Sequence, residues 1–469
     1  MSDSLSQAVE TALSPRMETP ESEGRPSRRP KPSDGPGPLL RKKHPDHHLW
    51  GTYLLLVFIA IVELFSASIQ DVKGGNIFDP ILRHGMFLAG GLVLMLIMQK
   101  LHYRIIYRLI PLYVLGSIGL LVAVYFGGEE VNGAVRGIRI GGTPILPAEF
   151  MKLAAALGMA WILSRTQMPG KRDVTWAGLA YSLLFMYISC GLLFAQGLSN
   201  TIVVVAICFS MMLVGGMGMK KFFIALAITG VLGAGAIGVK TMAKDKTELT
   251  EHQQRVFELN HVTIEEGLAD GRGETWKQRV KRHFRSDKHK DTFNTANQQE
   301  LLSYMAQAHG GLFGVGPGKS RESARLPLAS LDYIYAIIIE ELGLFAGLGI
   351  LIVYMWILGR SAKLTMQFKQ TMPGVLVMGC AFVIVFQALF HMSIVTGVVP
   401  VSGQPLPLIS KGGISVLATS LAFGVMLSCS KHAARVTDTK AEQAKEQDIL
   451  PENARSVNPV IATSVENKN

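Results

Sequence analysis

Apolar stretches of about 20 residues recur along the chain, and a helix of that length crosses the hydrocarbon core of a bilayer. The stretches are continuous, whereas strands of a membrane barrel alternate apolar and polar positions. The pattern therefore predicts helices, whose backbones satisfy their own hydrogen bonds in lipid. We expect an all-α polytopic membrane protein with about ten transmembrane helices. The predicted spans are residues 49–69, 84–100, 105–126, 148–164, 174–194, 200–216, 222–239, 333–358, 373–392 and 413–430.

The composition agrees with a membrane domain. Of the 469 residues, 49% are hydrophobic and 17% are charged, which is less charge than a soluble domain usually carries. The formal net charge of +11 would suggest a nucleic-acid partner for a soluble protein. No nucleic-acid motif occurs, and much of the positive charge lies in short loops between the predicted spans. Membrane orientation explains the charge better than nucleic-acid binding does.

The basic residues of the short loops predict how the chain is oriented. Cytoplasmic loops of membrane proteins are enriched in Lys and Arg. With the N-terminus inside, 11 basic residues fall in short inner loops and 5 in short outer loops, so both termini are predicted to be cytoplasmic. The inner loops hold Lys100, Arg104, Arg108, Arg165, Lys171, Arg172, Lys220, Lys221, Arg360, Lys363 and Lys369, and the outer loops hold Lys73, Arg83, Arg136, Arg139 and Lys411.

Polar segments divide the chain into three parts. Residues 1–48 are polar and rich in Pro, and we expect a disordered cytoplasmic tail because such a segment cannot bury a core. Residues 49–430 form the predicted membrane domain, which includes one large outer loop at 240–332. Residues 431–469 are again polar and predict a second disordered cytoplasmic tail.

Asp332 lies where the large outer loop meets the next hydrophobic stretch. A carboxylate at that boundary can meet a water-soluble headgroup whose tail stays in the bilayer, as in an enzyme of lipid-linked substrates. A general base must remain ionised and reach an acceptor hydroxyl. Asp is also a favoured N-cap residue for a helix that begins at once. Asp332 is therefore interpreted as either a helix cap or a general base.

A second polar block runs from Asn132 to Lys152. Glu149 and Lys152 are three residues apart on a predicted helix and share one face. A single charge in a membrane span costs about 2.5–3.5 kcal/mol on insertion scales, so the two residues form either a mutual ion pair or a polar pocket that meets a phosphate. Arg136 and Arg139 lie just outside the span, where they can bind a diphosphate or extend to lipid headgroups.

Two irregular segments add candidate binding residues. The glycine-rich run from Gly310 to Ser320 lacks the spacing of a nucleotide-binding P-loop, but its backbone N–H groups, Lys319 and Ser320 are candidates for an anion site; a plain turn is the alternative. The segment 400–413 contains three prolines and three glycines, and irregular backbone at membrane depth is tolerated where it lines a cavity. Ser410 and Lys411 are therefore candidate substrate-binding residues, unless the segment is an ordinary re-entrant turn.

Glu340 and Glu341 lie about two turns into the eighth predicted span. Charged groups within a membrane almost always face the protein interior, so we expect at least one hydrogen bond to another helix. His391 and Gln196 are candidate partners. The sequence contains no cluster of His, Cys and acidic residues that predicts a metal site.

Four ordered motifs resemble the SEDS family (shape, elongation, division and sporulation) over most of residues 49–430. The polar N-terminal tail and the residues around the eighth span resemble its FtsW branch, which acts in cell division, more than its RodA branch. The motifs are Asn132 to Lys152, Gly311 to Ser320, Asp332 with Ile-Glu340-Glu341-Leu-Gly343, and Ser402-Gly-x-x-x-Pro407-x-x-Ser410-x-Gly412-Gly413.

The resemblance implies an inverting peptidoglycan glycosyltransferase. Its substrate would be lipid II, a disaccharide-pentapeptide on undecaprenyl diphosphate, polymerised at the bacterial inner membrane during septal cell-wall synthesis. Asp332 would be the family's essential acid, and Lys152 and Arg136 would match its conserved basic residues. The implied partners are a class B penicillin-binding protein transpeptidase and other divisome membrane proteins, and the implied optional cofactor is a divalent cation, Mg²⁺ or Mn²⁺.

The chain departs from the family pattern at two places. Gln196-Gly-Leu-Ser-Asn-Thr201 stands where the family often has Gln-Pro-Asp-x-Gly-Thr, and Lys411 replaces a common aromatic residue. Two other functions stay open from the residues alone. Intramembrane charges suit a lipid II flippase as well as an enzyme, and a scaffold that recruits a transpeptidase needs no chemistry at Asp332.

Overall fold

The computed structural model describes residues 44–67, 78–130, 135–140, 143–168, 173–194, 196–244, 280, 283–284, 298–326, 329–435 and 438. The helices are α1 His47–Ala67, α2 Phe78–Lys100, α3 Tyr103–Gly127, α4 Pro147–Thr166, α5 Trp176–Phe194, α6 Leu198–Val214, α7 Met219–Lys244, α8 Gln298–Gly310, α9 Ala329–Asp332, α10 Ile334–Gln367, α11 Thr371–Val395 and α12 Gly413–His432. The strands are β1 Glu129–Glu130, β2 Val135–Ile140 and β3 Thr143–Ile145.

Each of the ten predicted spans has a helix at its position: seven are α1 to α7, and the last three are α10 to α12. Six of the described helices are long and apolar enough to cross a membrane, and the apolar parts of α1 and α6 are shorter. The all-α fold class is confirmed. Most of both predicted tails and most of the large outer loop lie outside the described residues, so their predicted disorder stays a prediction.

Helices α4 and α11 are at the centre of the bundle. Side chains on every face of α11 are buried, and nearly all of α4 is buried as far as Ala160. A helix that is apolar all round needs neighbours on all sides, and α4 packs against α3, α5, α6 and α11. By contrast, α2, α3 and α7 each present a row of exposed large hydrophobic side chains, as expected for helices that face lipid.

Small residues bring α2 and α12 close together. A Cβ added to Gly91 would collide with Ser420, and one added to Gly424 would lie 2.6 Å from the Cβ of Met98. Close backbone approach at small residues is a common way to associate helices in membranes, where burial of apolar surface gives little drive. The same Ser420 hydroxyl bonds the Tyr53 hydroxyl at 3.0 Å and so ties α1 to this pair.

A small antiparallel sheet in the order β1-β2-β3 precedes α4. Ile138 pairs with Ile145 and Ile140 pairs with Thr143. The chain then enters α4 at Pro147, in the first turn, where a missing N–H is tolerated. The sheet was not predicted, and its last strand, β3, directly precedes the helix that carries Glu149 and Lys152.

Helix α10 is interrupted at Gly343, whose φ of 87° and ψ of 171° are not helical. The backbone of Leu312 and Phe313 passes so close that a Cβ at Gly343 would collide with it. The freed N–H groups are satisfied by this crossing chain, since the N–H of Leu344 donates to the Gly311 carbonyl at 3.0 Å. The glycine-rich turn therefore packs against α10 at the break at Gly343.

Candidate active site

Asp332 is the last residue of the short helix α9, and its side chain is half-buried. The N-cap position of α10 belongs to the next residue, Tyr333, with no side-chain capping bond. The N-cap of α10 is thus one residue after Asp332. The Asp332 carboxylate lies against Gly403, where an added Cβ would be 2.8 Å from Oδ2 and 3.4 Å from Cγ. Gly403 is itself exposed, so the carboxylate is at an accessible edge of the fold.

The α11–α12 loop, defined as residues 396–412, is held in place by its backbone. The Lys411 N–H donates to the Ser330 carbonyl at 3.0 Å, which joins the loop to α9. The Tyr354 hydroxyl of α10 donates to the Pro407 carbonyl at 2.6 Å. Ser410 accepts the Leu406 N–H on its hydroxyl at 2.7 Å. These bonds fix the loop, and through it Gly403, beside Asp332.

Lys152 is fully buried, and its ammonium joins α4 to this loop. Nζ donates to Oε1 of Glu149 at 2.7 Å and to Oε1 of Gln404 at 3.2 Å. Glu149 is also buried, so the two residues form an intramembrane ion pair. The ion-pair interpretation of the sequence describes this geometry. Lys152 acts on the loop that flanks Asp332, and its direct contact with a substrate stays a prediction.

Gln387 of α11 completes the buried network. Its amide nitrogen lies 3.2 Å from Oε2 of Glu149, 3.1 Å from the Pro405 carbonyl and 3.3 Å from the Ser415 hydroxyl. Both oxygens of the carboxylate are thus engaged, by Lys152 and by Gln387. A buried charge needs such partners. The network therefore links α4, α11, α12 and the α11–α12 loop.

His391, on α11 beside this loop, and Ser402, within the loop, each have a polar atom that has no protein partner among the described residues. Nδ1 of His391 lies 2.6 Å from the Gln404 carbonyl. A carbonyl only accepts, so Nδ1 carries the hydrogen and Nε2 presents a lone pair. Nε2 of His391 and Oγ of Ser402 are buried without a bond there. They are available to polar groups of a ligand.

Sequence reasoning missed Gln387, Gln404 and Asn200, whose Oδ1 accepts from the Gln404 amide at 2.8 Å. Gln387 was visible as a polar residue inside an apolar span, a type of position that is often functional. Gln404 lies in the irregular 400–413 segment. Asn200 lies in the segment that departs from the family pattern, where it now has a defined contact.

The glycine-rich turn is held by the two glutamates of α10. Oε1 of Glu340 accepts the Arg321 N–H at 2.9 Å, and its Oε2 accepts the Ser320 hydroxyl. Oε2 of Glu341 accepts the Gly318 N–H at 2.9 Å. The bonds described here for the two glutamates therefore go to this turn, and the proposed pairing with His391 or Gln196 stays a prediction. Lys319, on the same turn, is exposed.

Ser320 thus has a defined structural contact, and Lys319 stays a candidate for anion binding. Arg136 and Arg139 lie on β2, with Arg139 opposite Pro144 in the sheet register. Their side chains are outside the described part of the structure. Their predicted binding of a diphosphate therefore stays a prediction.

The sequence profile of the family described as Cell cycle protein (FTSW_RODA_SPOVE) matches residues 46–435, which is most of the chain. The chain belongs to this family. The SEDS resemblance is thereby confirmed, and the matched range begins one residue before α1 and ends three residues after α12.

Relatives with named functions share most of their length with this family member. A probable peptidoglycan glycosyltransferase FtsW of Aromatoleum aromaticum is 30% identical over 79% of this chain and 84% of its own. One of Caulobacter vibrioides is 26% identical over 82% and 88%. A solved chain from a peptidoglycan synthase complex that coordinates polymerization and crosslinking has a TM-score of 0.61, 23% identity, and coverage of 84% of this chain and 99% of its own. That likeness supports the fold.

Proposed function

We propose that this chain is a peptidoglycan glycosyltransferase that polymerises lipid II into glycan strands, with Asp332 as the general base. The family and the two FtsW relatives support the activity. They also favour a role in division over one in elongation. The chain would act as an inverting enzyme whose donor is linked to undecaprenyl diphosphate.

One observation carries the assignment of the base. The Asp332 carboxylate lies against Gly403, and the next residue, Gln404, is bound to the buried Lys152. A half-exposed acid is thus held beside a loop that is anchored on an intramembrane ion pair. An ordinary surface carboxylate needs no such support, whereas a catalytic group must be positioned to within a fraction of an ångström.

In the proposed reaction, Asp332 removes the proton from the 4-hydroxyl of an acceptor GlcNAc. The oxygen forms a bond to C1 of the donor MurNAc from the face opposite the leaving group. The bond from C1 to the diphosphate breaks, and undecaprenyl diphosphate leaves with the electron pair. Configuration at C1 is inverted, and Asp332 is left protonated. Positioned base catalysis typically contributes about 10²–10⁴ in rate.

Charge on the departing diphosphate must be stabilised by fixed cations or dipoles. Arg136, Arg139 and Lys319 are the proposed cations, with Lys411 as the basic residue of the α11–α12 loop. Their approach to the substrate is part of the proposal. Lys152 and Glu149 act through the loop that they hold, and Ser410 acts by fixing the fold of that loop.

A divalent cation would depend on oxygens of the substrate. Among the described residues, no group of three or more His, Cys, Asp or Glu side chains could hold an ion. Mg²⁺ in phosphoryl sites commonly binds one or two carboxylates together with substrate phosphates. Asp332 is the carboxylate of the proposed active site that could bind such a cation. Such a cation would neutralise charge on the leaving diphosphate.

We further propose that this multi-pass membrane protein has both termini in the cytoplasm and acts at the division septum. The loop charges support the orientation. It places Asp332 at the outer membrane face, where nascent glycan is built. The solved synthase complex that resembles this fold supports a crosslinking partner, which we take to be a class B penicillin-binding protein, with other divisome proteins around it.

The test is glycan synthesis by the purified full-length protein in detergent, with lipid II, Mg²⁺ or Mn²⁺, and with or without the transpeptidase. Wild type should make glycan, and Asp332→Asn should lower the rate by about 10²–10⁴ with an unchanged unfolding temperature. Leu331→Ala, in the same turn of α9, is the matched control and should keep most activity.

Normal synthesis by a well-folded Asp332→Asn protein would remove Asp332 from the role of base. A flippase would behave differently, because it would move labelled lipid II between the leaflets of vesicles and yield no glycan in detergent, where no leaflets exist. A scaffold would yield neither product nor transport.

A further inference from the structure

An open apolar groove lies between α4 and α5, at the end of α4 opposite Glu149. Its volume is about 530 Å³, within the range of about 300–1,000 Å³ typical of small-ligand sites. On the α5 side, Leu184 and Ile188 are exposed along it. Phe185 lies at its base, packed so closely over Gly158 that a Cβ there would collide with the ring. The described lining contains no acidic residue.

Arg165 is the one cation in the described lining of this groove. The guanidinium carbon of Arg165 is 3.9 Å from the ring centroid of Trp161 and 5.6 Å from that of Tyr107. Nε donates to the Tyr107 hydroxyl at 2.8 Å. The two terminal nitrogens have no acceptor among the described residues. Arg165 is therefore a fixed, half-buried charge whose remaining donors are available to an anion.

The membrane position of the groove limits its occupant. In the orientation proposed above, Arg165 and Thr166 are at the cytoplasmic interface, and the groove runs from there along about seven residues of α5, or about 10 Å. Trp and Tyr side chains are typical of that interface. An amphiphile would match both parts of this groove, with its acidic head at Arg165 and its apolar chain along Leu184 and Ile188.

We propose that this groove is a binding site for an anionic glycerophospholipid of the cytoplasmic leaflet. One acyl chain lies between α4 and α5, and the phosphate accepts hydrogen bonds from the terminal nitrogens of Arg165. Guanidinium matches phosphate geometry with paired donors. Since the described lining offers no carboxylate to an ammonium headgroup, an anionic lipid is preferred to a zwitterionic one.

The site is separate from the proposed active site. Glu149 and Lys152 are at the other end of α4, near Asp332, and Arg165 is more than three turns away along the helix. The inference does not depend on the polymerase activity. It depends on the cytoplasmic orientation, because that decides which leaflet supplies the lipid.

The experiment uses the full-length protein in nanodiscs with phosphatidylglycerol that carries a photoactivatable group on one acyl chain. Crosslinks should map to α4 and α5. Arg165→Gln should reduce them about ten-fold, as expected when a charge-assisted hydrogen bond is lost. Ile188→Trp should also reduce them, by filling the groove from a lipid-facing position that does not affect the core.

Two matched variants serve as controls. Arg108→Gln removes another exposed cation predicted for the same membrane face, and Ile352→Trp adds the same bulk on a lipid-facing side of α10. Both should leave the crosslinks unchanged. Equal crosslinking of Arg165→Gln and wild type would overturn the proposal, as would equal crosslinking by phosphatidylethanolamine.

Two further outcomes would assign the groove to another occupant. Displacement of the probe by lipid II, but not by unlabelled phosphatidylglycerol, would make it a substrate site. Loss of the crosslinks when the transpeptidase is added would make it a protein-docking surface. Either result overturns the phospholipid assignment and leaves the proposed polymerase activity untouched, which the detergent assay measures separately.

Discussion

Among the ion pairs of the described residues, one lies near each membrane face of the proposed topology with a buried carboxylate, and the partners of these two pairs differ in kind. Near the outer face, Lys152 and Glu149 are completed by the amides of Gln404 and Gln387. Near the inner face, Asp46 accepts two bonds from Nε of Arg360, at 3.1 and 3.0 Å, and one from the Leu49 N–H at 3.1 Å. The outer pair is bonded to the α11–α12 loop, and the inner pair is bonded to residues of helices.

The difference indicates what each pair does. Asp46 caps the start of α1 and joins it to α10, so its bonds connect helices of the bundle. Lys152 holds Gln404, and the residue before it, Gly403, packs on Asp332. A buried ion pair is weak support for stability in itself, since apolar residues of similar volume often serve as well. The outer pair is better explained by the position that it imposes on the loop.

The largest expected effect on stability is at Lys152. Lys152→Met would leave the Glu149 carboxylate buried with Gln387 as its remaining partner among the described residues. Breaking a buried pair typically costs about 3–5 kcal/mol, so the unfolding temperature should fall steeply in detergent. The double variant Lys152→Met with Glu149→Gln removes both charges and should recover most of that loss.

The same double variant tests whether the outer pair positions the loop or only stabilises the fold. If the outer pair positions the α11–α12 loop, glycan synthesis should stay impaired after stability returns, because the Gln404 contact is still missing. Full recovery of both stability and synthesis would show that the outer pair is a structural element like the inner one.

Gly403→Ala tests the contact between the loop and the proposed base. The added Cβ would be 2.8 Å from Oδ2 of Asp332, so either the carboxylate or the loop must move. A misplacement of about 1 Å can cost about 10² in rate, and we expect a loss of that size with little change in unfolding temperature. Gly349→Ala on α10, where a Cβ meets nothing within 4 Å, is the matched control. Wild-type synthesis by Gly403→Ala would contradict the proposed position of the base.

Sequence patterns predicted the elements that depend on neighbouring residues. The ten spans follow from continuous apolar runs, and the Glu149–Lys152 pair follows from a spacing of three on a helix. The partners that give the pair its role are 238 and 252 positions away, and no single-chain pattern joins them. Only packing of α4 against α11 and the α11–α12 loop brings them together.

Other features were missed for local reasons. Strands β2 and β3 are short, and the Gly141-Gly142 dipeptide between them is a recognised hairpin signal that the membrane pattern concealed. Glu340 and Glu341 were expected to bond another helix because they lie in an apolar run. Because α10 is broken at Gly343, the glycine-rich turn packs against it instead. Backbone N–H groups of that turn donate hydrogen bonds to both carboxylates.

The smallest expected effect is at the inner pair, and it concerns the pH dependence of stability. Burial acts to raise the pKa of Asp46, but the hydrogen bonds from Arg360 and the Leu49 N–H and the positive charge of Arg360 outweigh it and hold the pKa below its ordinary value. The group therefore stabilises the fold above the unfolded-state pKa of about 3.9, and this contribution disappears as pH falls through the lower folded-state value.

Asp46→Asn should thus lower the free energy of unfolding near neutral pH by about 1.5–3 kcal/mol, the range for hydrogen bonds to charged groups. The gap from wild type should be constant from about pH 8 to pH 5 and should shrink below about pH 4, as measured by unfolding in detergent across that range. Glycan synthesis near neutral pH should be kept below the melting temperature of the variant, because the bonds described for Asp46 and Arg360 go to α1, α12 and each other and not to the α11–α12 loop. A gap that is independent of pH would mean that the Asp46 charge contributes nothing. Lost synthesis in a folded Asp46→Asn protein would erase the distinction between the two pairs, since the inner one would then also act on the site.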